Sequence, residues 1–525
     1  MLREVSSSRR PNPGRLRLAS ISLAVSSAVL LILSFPNFNI SLLAWVAFIP
    51  LLFAIEGQSP REAFLLSYIA GAIFFLGVGY WLIHVTLPGM IALALFLALY
   101  FGIFGLALSS GLRVPGYMLL FFIPALWVTL EWLRSNILIG FGWTLLAHSQ
   151  SAALPVIQIS DITGAYGTSF LVMLVNSAIF ITIKDMRDKT VRAIPCLAAA
   201  VLVLYISIAY GTVRLKNIFT GEQLRVSIIQ GNIPQNEKWD PASSGKILDK
   251  YESLTKEAAK DKPDLIVWPE TSVPGFLEME RALSDRIKLL AVSTDTHILV
   301  GTPREEDSYK KIYNSAVLFS GEGRIVDRYD KIHLVPFGEY VPLKKLFSFV
   351  EKFTKSQIGD FSPGKEYTVF KFFIERKFTS EGAAWKLLKK AKFSCLICFE
   401  DIFPDLTRQF VKNGAVFLVN ITNDAWFGKT SAPYQHMQCS VFRAVENRVN
   451  VIRAANTGIS CFIDQKGKVT EMVKSGVNPL FVDGLKTHDI ILTPTRTFYT
   501  VYGDIFAYLC ILYAALYLWL RRRPV

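Results

Sequence analysis

Long apolar runs occupy the beginning and the end of the chain, and a charged region of mixed pattern separates them. About eight of these runs have the composition of membrane spans. They cover approximately residues 17–34, 41–56, 63–84, 89–109, 116–133, 165–183, 193–211 and 501–520. We therefore predict an N-terminal membrane domain of seven transmembrane helices over residues 1–211, and a C-terminal transmembrane helix with a basic tail over residues 501–525.

The region over residues 212–500 alternates short apolar stretches with longer charged ones. The short stretches are typical of buried strands. They lie at residues 226–230, 265–268, 297–300, 316–319, 393–398 and 416–419. Helical patterns occur at residues 243–260, 279–292 and 432–448. This alternation predicts a layered α/β domain outside the lipid.

The distribution of Lys and Arg predicts the orientation of the chain in the membrane. The loops at residues 35–40, 85–88 and 135–164 contain neither residue, whereas the loops on the other side of the predicted spans contain several. Because basic residues favour the cytoplasmic side, both termini are expected in the cytoplasm and the 212–500 domain outside it. The segment 135–164 also lacks charge before Asp161, so we expect it to lie against the outer membrane surface.

Composition limits the class of protein and its partners. With 52% hydrophobic residues, the chain is too apolar for an ordinary soluble enzyme. A net charge of +14 is compatible with nucleic-acid binding, but no zinc-finger spacing or RNA-binding aromatic motif accompanies it. Many of the basic residues lie beside apolar spans, so we expect an anionic lipid surface and no nucleic acid as partner.

The cysteines do not form the regular framework of a disulfide scaffold. They are Cys196, Cys395, Cys398, Cys439, Cys461 and Cys510. Cys395 and Cys398 form a C-x-x-C pair, which elsewhere marks a redox centre or half of a zinc site. No second pair and no His at ligand spacing accompany it, so we expect neither a metal nor a cofactor.

Three stretches carry residues suited to acyl-transfer chemistry. The apolar run from Phe393 ends at Cys398, the apolar run from Leu265 ends near Glu270, and a third stretch carries Lys331. An acid, a cation and a thiol of this kind can serve as general base, electrostatic stabiliser and nucleophile. Each also has a simpler interpretation, because a lone Cys is often packed in a core, an acid can close a turn, and a Lys is usually an exposed charge.

Longer motifs around these residues resemble those of the carbon–nitrogen hydrolase (nitrilase) superfamily, in its membrane-embedded branch. They are WPET at residues 268–271, YDKIHLVPFGEYVP at 329–342, CFED at 398–401 and NDAWFG at 423–428. The resemblance extends to QGNIPQNEKW at 230–239 and, in the membrane part, to EWLR at 131–134 and to residues 158–169. Long motifs in this order cover nearly the whole chain.

The resemblance implies a fold and a catalytic triad. The 212–500 domain would be a four-layer αββα sandwich, with Glu270 as general base, Lys331 as electrostatic partner and Cys398 as nucleophile. A free thiol has a pKa of roughly 8.5, so a neighbouring base and cation are the usual means of activating it. The Phe399 backbone N–H would help to hold the oxyanion, although many members of the branch have Tyr at this position and Phe399 has no hydroxyl group.

The resemblance also implies supporting residues. Glu339 would lie near the base and Glu400 beside the nucleophile, unless they are ordinary salt-bridge acids. Trp239, Trp268 and Trp426 would contact the acyl chain or the lipid headgroup, although a buried Trp is equally often part of a core.

Two segments have roles that the sequence leaves open. Residues 343–355 have the pattern of an amphipathic helix, either a mobile lid that touches lipid or a helix packed on its own domain. The basic segment 365–392 is either a solvated hairpin and short helix or a contact for anionic headgroups.

The function implied by the resemblance is a two-step acyl transfer in the bacterial inner membrane. Cys398 would take an acyl chain from a membrane phospholipid as a thioester. The α-amine of the N-terminal diacylglyceryl-cysteine of an apolipoprotein would then accept the chain, which completes lipoprotein maturation. The alternatives are a membrane-tethered amidase or nitrilase that hydrolyses an amide, and a catalytically dead lipid-binding or transport module.

Overall fold

The computed structural model describes residues 18–111, 116–137, 140–188, 193–238, 240–277, 279–306, 311–340, 361–380 and 383–520. The helices of the N-terminal part are α1 Leu18–Leu33, α2 Ile49–Ile55, α3 Pro60–Val78, α4 Leu87–Gly111, α5 Gly116–Asn136, α6 Leu154–Ile157, α7 Ser160–Thr163, α8 Ala165–Arg187 and α9 Ala193–Lys216. The remaining helices are α10 Ser244–Ala258, α11 Arg281–Thr294, α12 Pro404–Lys412, α13 Ala432–Asn447, α14 Phe498–Tyr502 and α15 Ile505–Leu520.

Each of the apolar runs forms helical structure, but the runs differ in their capacity to cross a membrane. Among the described residues, five helices have the required length and apolar composition, and they lie within α3, α4, α5, α8 and α9. The helices α1 and α15 are shorter. The second run is not one continuous helix. It forms the 3-10 turn Ser41–Trp45 and then the seven-residue α2, which has a proline in its first turn. The prediction of a helical membrane part is therefore confirmed, whereas the count of about eight spans is not.

Twelve strands lie among the described residues after α9. They are β1 Glu222–Gln230, β2 Leu265–Val267, β3 His297–Glu306, β4 Lys311–Phe319, β5 Ile325–Asp330, β6 Phe370–Ser380, β7 Ala383–Ile397, β8 Phe417–Thr422, β9 Asn450–Ala455, β10 Cys461–Ile463, β11 Val469–Met472 and β12 Gly484–Leu492. One sheet has the order β12-β1-β2-β3-β4-β5, and the other has the order β11-β10-β9-β8-β7-β6.

The two sheets pack face to face between layers of helices. A single apolar core joins inward residues of both sheets, such as Val267 and Leu299 in the first sheet and Ile397 and Val419 in the second. The helices α10 and α11 cover the outer face of the first sheet through a separate apolar cluster. The helices α12 and α13 pack on the second sheet. The predicted αββα sandwich is therefore confirmed.

Parallel pairing brings the catalytic strand ends to one edge. In the second sheet, β7 is parallel to β8, and β8 is parallel to β9. In the first sheet, β1, β2 and β3 are parallel to one another. Side chains that follow the carboxyl ends of such strands share one edge of the sheet, which is where binding crevices form in α/β folds.

The basic segment 365–392 contributes most of a hairpin. The antiparallel strands β6 and β7 pair from Phe370 with Phe393 to Ser380 with Ala383 at the edge of the second sheet. This agrees with the hairpin that we expected as one part of the interpretation as a solvated hairpin and short helix. A contact with anionic headgroups stays a prediction.

Much of the segment 135–164 is buried in the protein interior, whereas we had expected it to lie against the outer membrane surface. Trp143, Leu145, Ala147 and Ile157 are buried inside the protein, in clusters that they share with the sandwich. Hydropathy alone cannot separate these cases, because apolar side chains are compatible with lipid and with a protein interior alike. The segment is therefore a packed junction between the membrane helices and the sandwich.

The helix α13 fastens the sandwich to the membrane part. The side-chain oxygen of Gln435 accepts hydrogen bonds from the indoles of Trp81, at 3.1 Å, and Trp143, at 2.8 Å, while its amide donates to the Val78 carbonyl at 3.0 Å. At the other end of α13, Glu446 accepts a bond from the Ala165 N–H at the start of α8. One buried helix thus contacts the membrane helices and carries residues into the site.

Candidate active site

Cys398 lies where β7 stops. It is half-buried and opens the 3-10 turn Cys398–Ile402. Its φ of +55° lies in the left-handed region, which non-glycine residues rarely adopt and which is enriched at functional sites. This turn presents the thiol at the end of the strand.

Lys331 lies in a network of two acids and an amide that the first sheet supplies. Its Nζ lies 2.9 Å from both carboxylate oxygens of Glu339 and 3.6 Å from Glu270 Oε1. Asn314 Nδ2 donates 2.8 Å hydrogen bonds to Glu270 and to Glu339. The Val335 N–H donates to Glu339 as well. Glu339 therefore lies next to the predicted base, joined to it through Lys331 and Asn314.

The electrostatic surroundings hold the Cys398 thiol in its neutral form. Burial raises its pKa above the ordinary value, Glu270 raises it further, and Lys331 opposes them. Burial lowers the pKa of Lys331, but Glu339 and the other neighbouring anions outweigh it, so the amine stays charged. This arrangement suits a nucleophile that gives up its proton to a carboxylate only as it attacks.

Glu400 connects the end of β7, which precedes Cys398, to the loop that follows Lys331. One carboxylate oxygen accepts bonds from the Tyr329 hydroxyl, the Ile332 N–H and the His333 N–H, at 2.8 to 3.0 Å. The other accepts a 2.7 Å bond from the Ile397 N–H. Burial raises its pKa to about 7, while these donors favour the anion. Glu400 is completely buried and bonds both the end of β7 and the loop after Lys331, so it does not line the site as we had expected.

The side chain of Phe399 covers the lysine. Lys331 Nζ lies 5.4 Å from the centre of the Phe399 ring, and Phe403 packs on the same ring at 5.3 Å. An aromatic ring at this distance attracts a cation. The side chain of Phe399 thus forms an apolar wall beside Lys331.

The three tryptophans that we assigned to substrate binding differ in their positions. Trp268 is fully buried, stacks on Tyr251 and donates its indole N–H to Thr255. This core position does not fit a substrate contact, because the chain turns after β2 and separates Trp268 from Glu270. Trp426 is 42% exposed, which leaves its ring accessible. Trp239 and the segment 343–355 lie outside the described residues.

Cys395 and Cys398 have different surroundings. The Cys395 thiol is completely buried in the core between the sheets, which raises its pKa far above that of a free thiol. Such a thiol is inert. In the part of the chain that the structure describes, no three His, Cys, Asp or Glu side chains are arranged to hold a metal ion.

The sequence analysis missed a second lysine. Lys238 is buried, and its Nζ donates a 2.8 Å bond to the Glu270 backbone carbonyl. Burial lowers its pKa to about 8, against the opposing effect of Glu270 and Cys398. Its only signal in the sequence was its place within the motif at 230–239, next to Trp239.

A buried ionic cluster next to Cys398 likewise gave no signal in the sequence. His436 Nδ1 lies 3.0 Å from Asp424 Oδ1, and its Nε2 lies 2.8 Å from Asp401 Oδ1. Arg453 bonds Asp401 at 2.8 Å, and the Ser440 hydroxyl donates to the same carboxylate. Burial lowers the pKa of His436, but the two aspartates outweigh it and raise the pKa to about 9. His436 is therefore a buried imidazolium.

The fold and the site together define a class of protein: an enzyme with a helical membrane part and a sandwich domain of the carbon–nitrogen hydrolase type. Residues 225–485 match the family described as "Carbon-nitrogen hydrolase", and residues 27–178 match "Apolipoprotein N-acyltransferase N-terminal domain". The chain covers 92% of yeast Nit3, a member of branch 10 of the nitrilase superfamily, at 18% identity, over 52% of its own length and with a TM-score of 0.37.

Full-length relatives give the particular family. A protein of Geobacter metallireducens named apolipoprotein N-acyltransferase is 42% identical over 509 residues, which are 94% of this chain and 93% of that protein. A protein of the same name from Methylococcus capsulatus is 31% identical over 505 residues, which are 93% of each chain. The chain belongs to the apolipoprotein N-acyltransferase family and is an N-acyltransferase.

Proposed function

We propose that this enzyme transfers an acyl chain from a membrane phospholipid, through a thioester on Cys398, to the N-terminal α-amine of diacylglyceryl-modified apolipoproteins. The family supports N-acylation of lipoproteins. The observation that carries the mechanism is the placement of Lys331 between the carboxylates of Glu270 and Glu339, near a thiol on a strained strand end.

In the first half-reaction, the Cys398 sulfur attacks the ester carbonyl of the phospholipid while its proton passes to Glu270. Lys331 and the Phe399 N–H stabilise the oxyanion of the tetrahedral intermediate. The carbon–oxygen bond to glycerol then breaks, and Glu270 returns its proton to the leaving oxygen. The products are a thioester on Cys398 and a lysophospholipid.

In the second half-reaction, the neutral α-amine of the apolipoprotein attacks the thioester carbonyl. Glu270 accepts a proton from the attacking nitrogen, and the same oxyanion contacts are used again. The carbon–sulfur bond breaks and the proton returns to sulfur, which leaves an amide on the lipoprotein and free enzyme.

The supporting residues act by positioning the reacting groups. Glu339 positions Lys331, Glu400 positions the nucleophile Cys398, and Lys238 holds the Glu270 backbone. Trp426 is available to contact a substrate. Trp239 keeps its predicted substrate role.

The location of the site suits substrates that stay in a bilayer. We propose that the protein lies in the bacterial inner membrane with both termini in the cytoplasm and the 212–500 domain on the periplasmic side, because of the Lys and Arg asymmetry. The division into residues 1–211, 212–500 and 501–525 belongs to this proposal. Burial of the segment 135–164 between helices and sandwich supports a site held close to the lipid.

The proposal is tested with the full-length enzyme in vesicles that contain a phospholipid labelled in its acyl chain. A synthetic diacylglyceryl-cysteinyl peptide with a free α-amine is the acceptor, and the same peptide with an acetylated amine is the matched control. We expect label in the free peptide as an amide that resists neutral hydroxylamine, and none in the control. Release of labelled fatty acid with no labelled peptide would identify a hydrolase instead.

A further inference from the structure

We infer that His436 and Asn420 are positioning residues that polarise the Cys398–Phe399 peptide bond and make the Phe399 N–H a stronger oxyanion donor. The inference rests on the proposed function, because it assigns a role within that mechanism. Its basis is that both side chains contact the carbonyl of the peptide whose N–H, that of Phe399, the proposed mechanism assigns to the oxyanion.

The geometry places two donors on one carbonyl. Asn420 Nδ2 lies 2.9 Å from the Cys398 carbonyl oxygen, and His436 Nε2 lies 3.2 Å from it. The carbonyl of Cys398 and the N–H of Phe399 share one planar, resonant amide group. Donors on the oxygen increase the single-bond character of C=O, and the nitrogen becomes more positive. Hydrogen bonds in series strengthen one another in this way.

The charge of His436 increases the effect. Its ring faces Asp424 through Nδ1 and both Asp401 and the Cys398 carbonyl through Nε2, while Arg453 is the nearby cation that opposes protonation. With both nitrogens protonated, His436 presents a donor to the carbonyl whatever its tautomeric preference.

Asn420 has the features of a dedicated donor. It is completely buried, and its amide nitrogen is shared between the carbonyls of Cys398 and of Leu396, the latter at 3.4 Å. Its side-chain oxygen is buried with no hydrogen-bond partner among the described residues. Burying an amide oxygen without a hydrogen bond lowers the stability of the folded protein. Its donor function toward Cys398 accounts for the residue.

The test separates oxyanion stabilisation from thiol activation. Acylation builds an oxyanion, whereas alkylation by iodoacetamide displaces iodide from a saturated carbon and builds none. Both rates depend on the Cys398 thiol and on Glu270. Cys398 is the one cysteine of the six that is not fully buried, so alkylation of the folded enzyme reports on it.

The variants are Asn420→Leu and His436→Gln, compared with wild type and with Asn450→Leu. Asn450 is a buried strand residue whose amide donates a 2.8 Å bond to the Ile491 carbonyl, so its change removes the same kind of bond away from the site. Complete loss of an oxyanion donor slows an enzyme about 10²–10³-fold, so weakening one should slow thioester formation roughly 10- to 100-fold. Alkylation should stay at the wild-type rate.

Three outcomes decide the matter. Slowed acylation with unchanged alkylation supports the inference, provided that Asn450→Leu changes neither rate. Parallel loss of both rates would assign the two residues to holding the thiol, and unchanged acylation would remove them from the mechanism; either result overturns the inference. Failure of the proposed function itself is distinguishable, because the wild-type enzyme would then either form no thioester on Cys398 or pass no label from it to the acceptor peptide.

Discussion

Replacement of Lys331 by Met should damage both the chemistry and the stability of the sandwich. The Lys331 side chain is almost completely buried, 2.9 Å from both oxygens of Glu339 and 3.6 Å from Glu270. Met removes the charge while keeping much of the volume. Two carboxylates that are themselves largely buried then lose their cation.

The magnitude follows from the burial of the pair. Removing one partner of a buried ion pair typically costs 3–5 kcal/mol, because the other charge stays behind without compensation. For a domain of roughly 250 residues this corresponds to a fall in Tm on the order of 10 °C. Loss of the cation from the oxyanion site should also slow thioester formation by about 10²–10³-fold.

The double variant Lys331→Met/Glu339→Gln separates the two effects. With residue 339 neutral, the nearer of the two uncompensated charges is gone, and the Gln oxygen can still accept a bond from Asn314 or from the Val335 N–H. We expect the double variant to regain a large part of the lost Tm and none of the lost rate. Thermal unfolding in detergent and single-turnover labelling from an acyl-labelled phospholipid measure the two quantities.

An exposed ion pair of the same length serves as control. Lys486 Nζ lies 2.9 Å from Glu471, but both side chains are about 40% exposed. Such pairs contribute roughly 0–1 kcal/mol, so Lys486→Met should change neither Tm nor rate. A wild-type Tm in Lys331→Met would refute the account of the buried pair, and recovery of the rate in the double variant would refute the role of the cation.

Three further predictions address the rest of the molecule. Gln435→Leu should lower Tm, because the buried indole N–H groups of Trp81 and Trp143 lose their acceptor, at a cost of about 1–3 kcal/mol each. Gln438→Leu on the same helix is the control, since the side-chain oxygen of Gln438 has no hydrogen-bond partner among the described residues. The folded pKa of His436, about 9, lies above its ordinary 6.5, so its stabilising contribution is complete below pH 6.5 and is lost as pH rises through 9; Tm should fall over that window in wild type and less in His436→Gln. Reporter fusions after α9 should report a periplasmic location, and a cytoplasmic signal there would contradict the proposed orientation.

The sequence predicted the catalytic strand ends because their signals are local. Cys398 and Glu270 each follow an apolar run, and Lys331 lies within a long motif. Strand, end and candidate residue are then contiguous in the chain. The structure placed Lys331 and Glu270 3.6 Å apart, although 60 residues separate them, because β2 and β5, which precede them, belong to one sheet with only β3 and β4 between them.

Residues that act at a distance in the chain gave no such signal. Asn314 lies within β4 and His436 within α13, and in a sequence each is a lone polar residue in an otherwise ordinary element. Only the tertiary fold shows that Asn314 donates hydrogen bonds to both Glu270 and Glu339. It also shows that His436 contacts the Cys398 carbonyl. The strands β5 and β9 to β12 were also missed. In β9 the polar residues Asn450 and Arg453 interrupt the apolar pattern although both are buried.

Trp268 shows the opposite error, in which adjacency was misleading. It precedes Glu270 by two residues within one motif, so a shared role was a natural expectation. The regular strand ends at Val267, and the following turn sends the indole toward Tyr251 and the acid toward Lys331. A motif fixes the order of its residues but not the direction of each side chain.

The central claim is that Cys398 carries the acyl chain as a thioester. It is tested most directly by incubating the full-length enzyme with a phospholipid labelled in its acyl chain, without acceptor, and by mapping the labelled peptide by mass spectrometry. We predict label on Cys398 that neutral hydroxylamine removes, retained in Cys395→Ala and absent in Cys398→Ala. Label in Cys398→Ala, or label on another residue of the wild-type enzyme, would contradict the account.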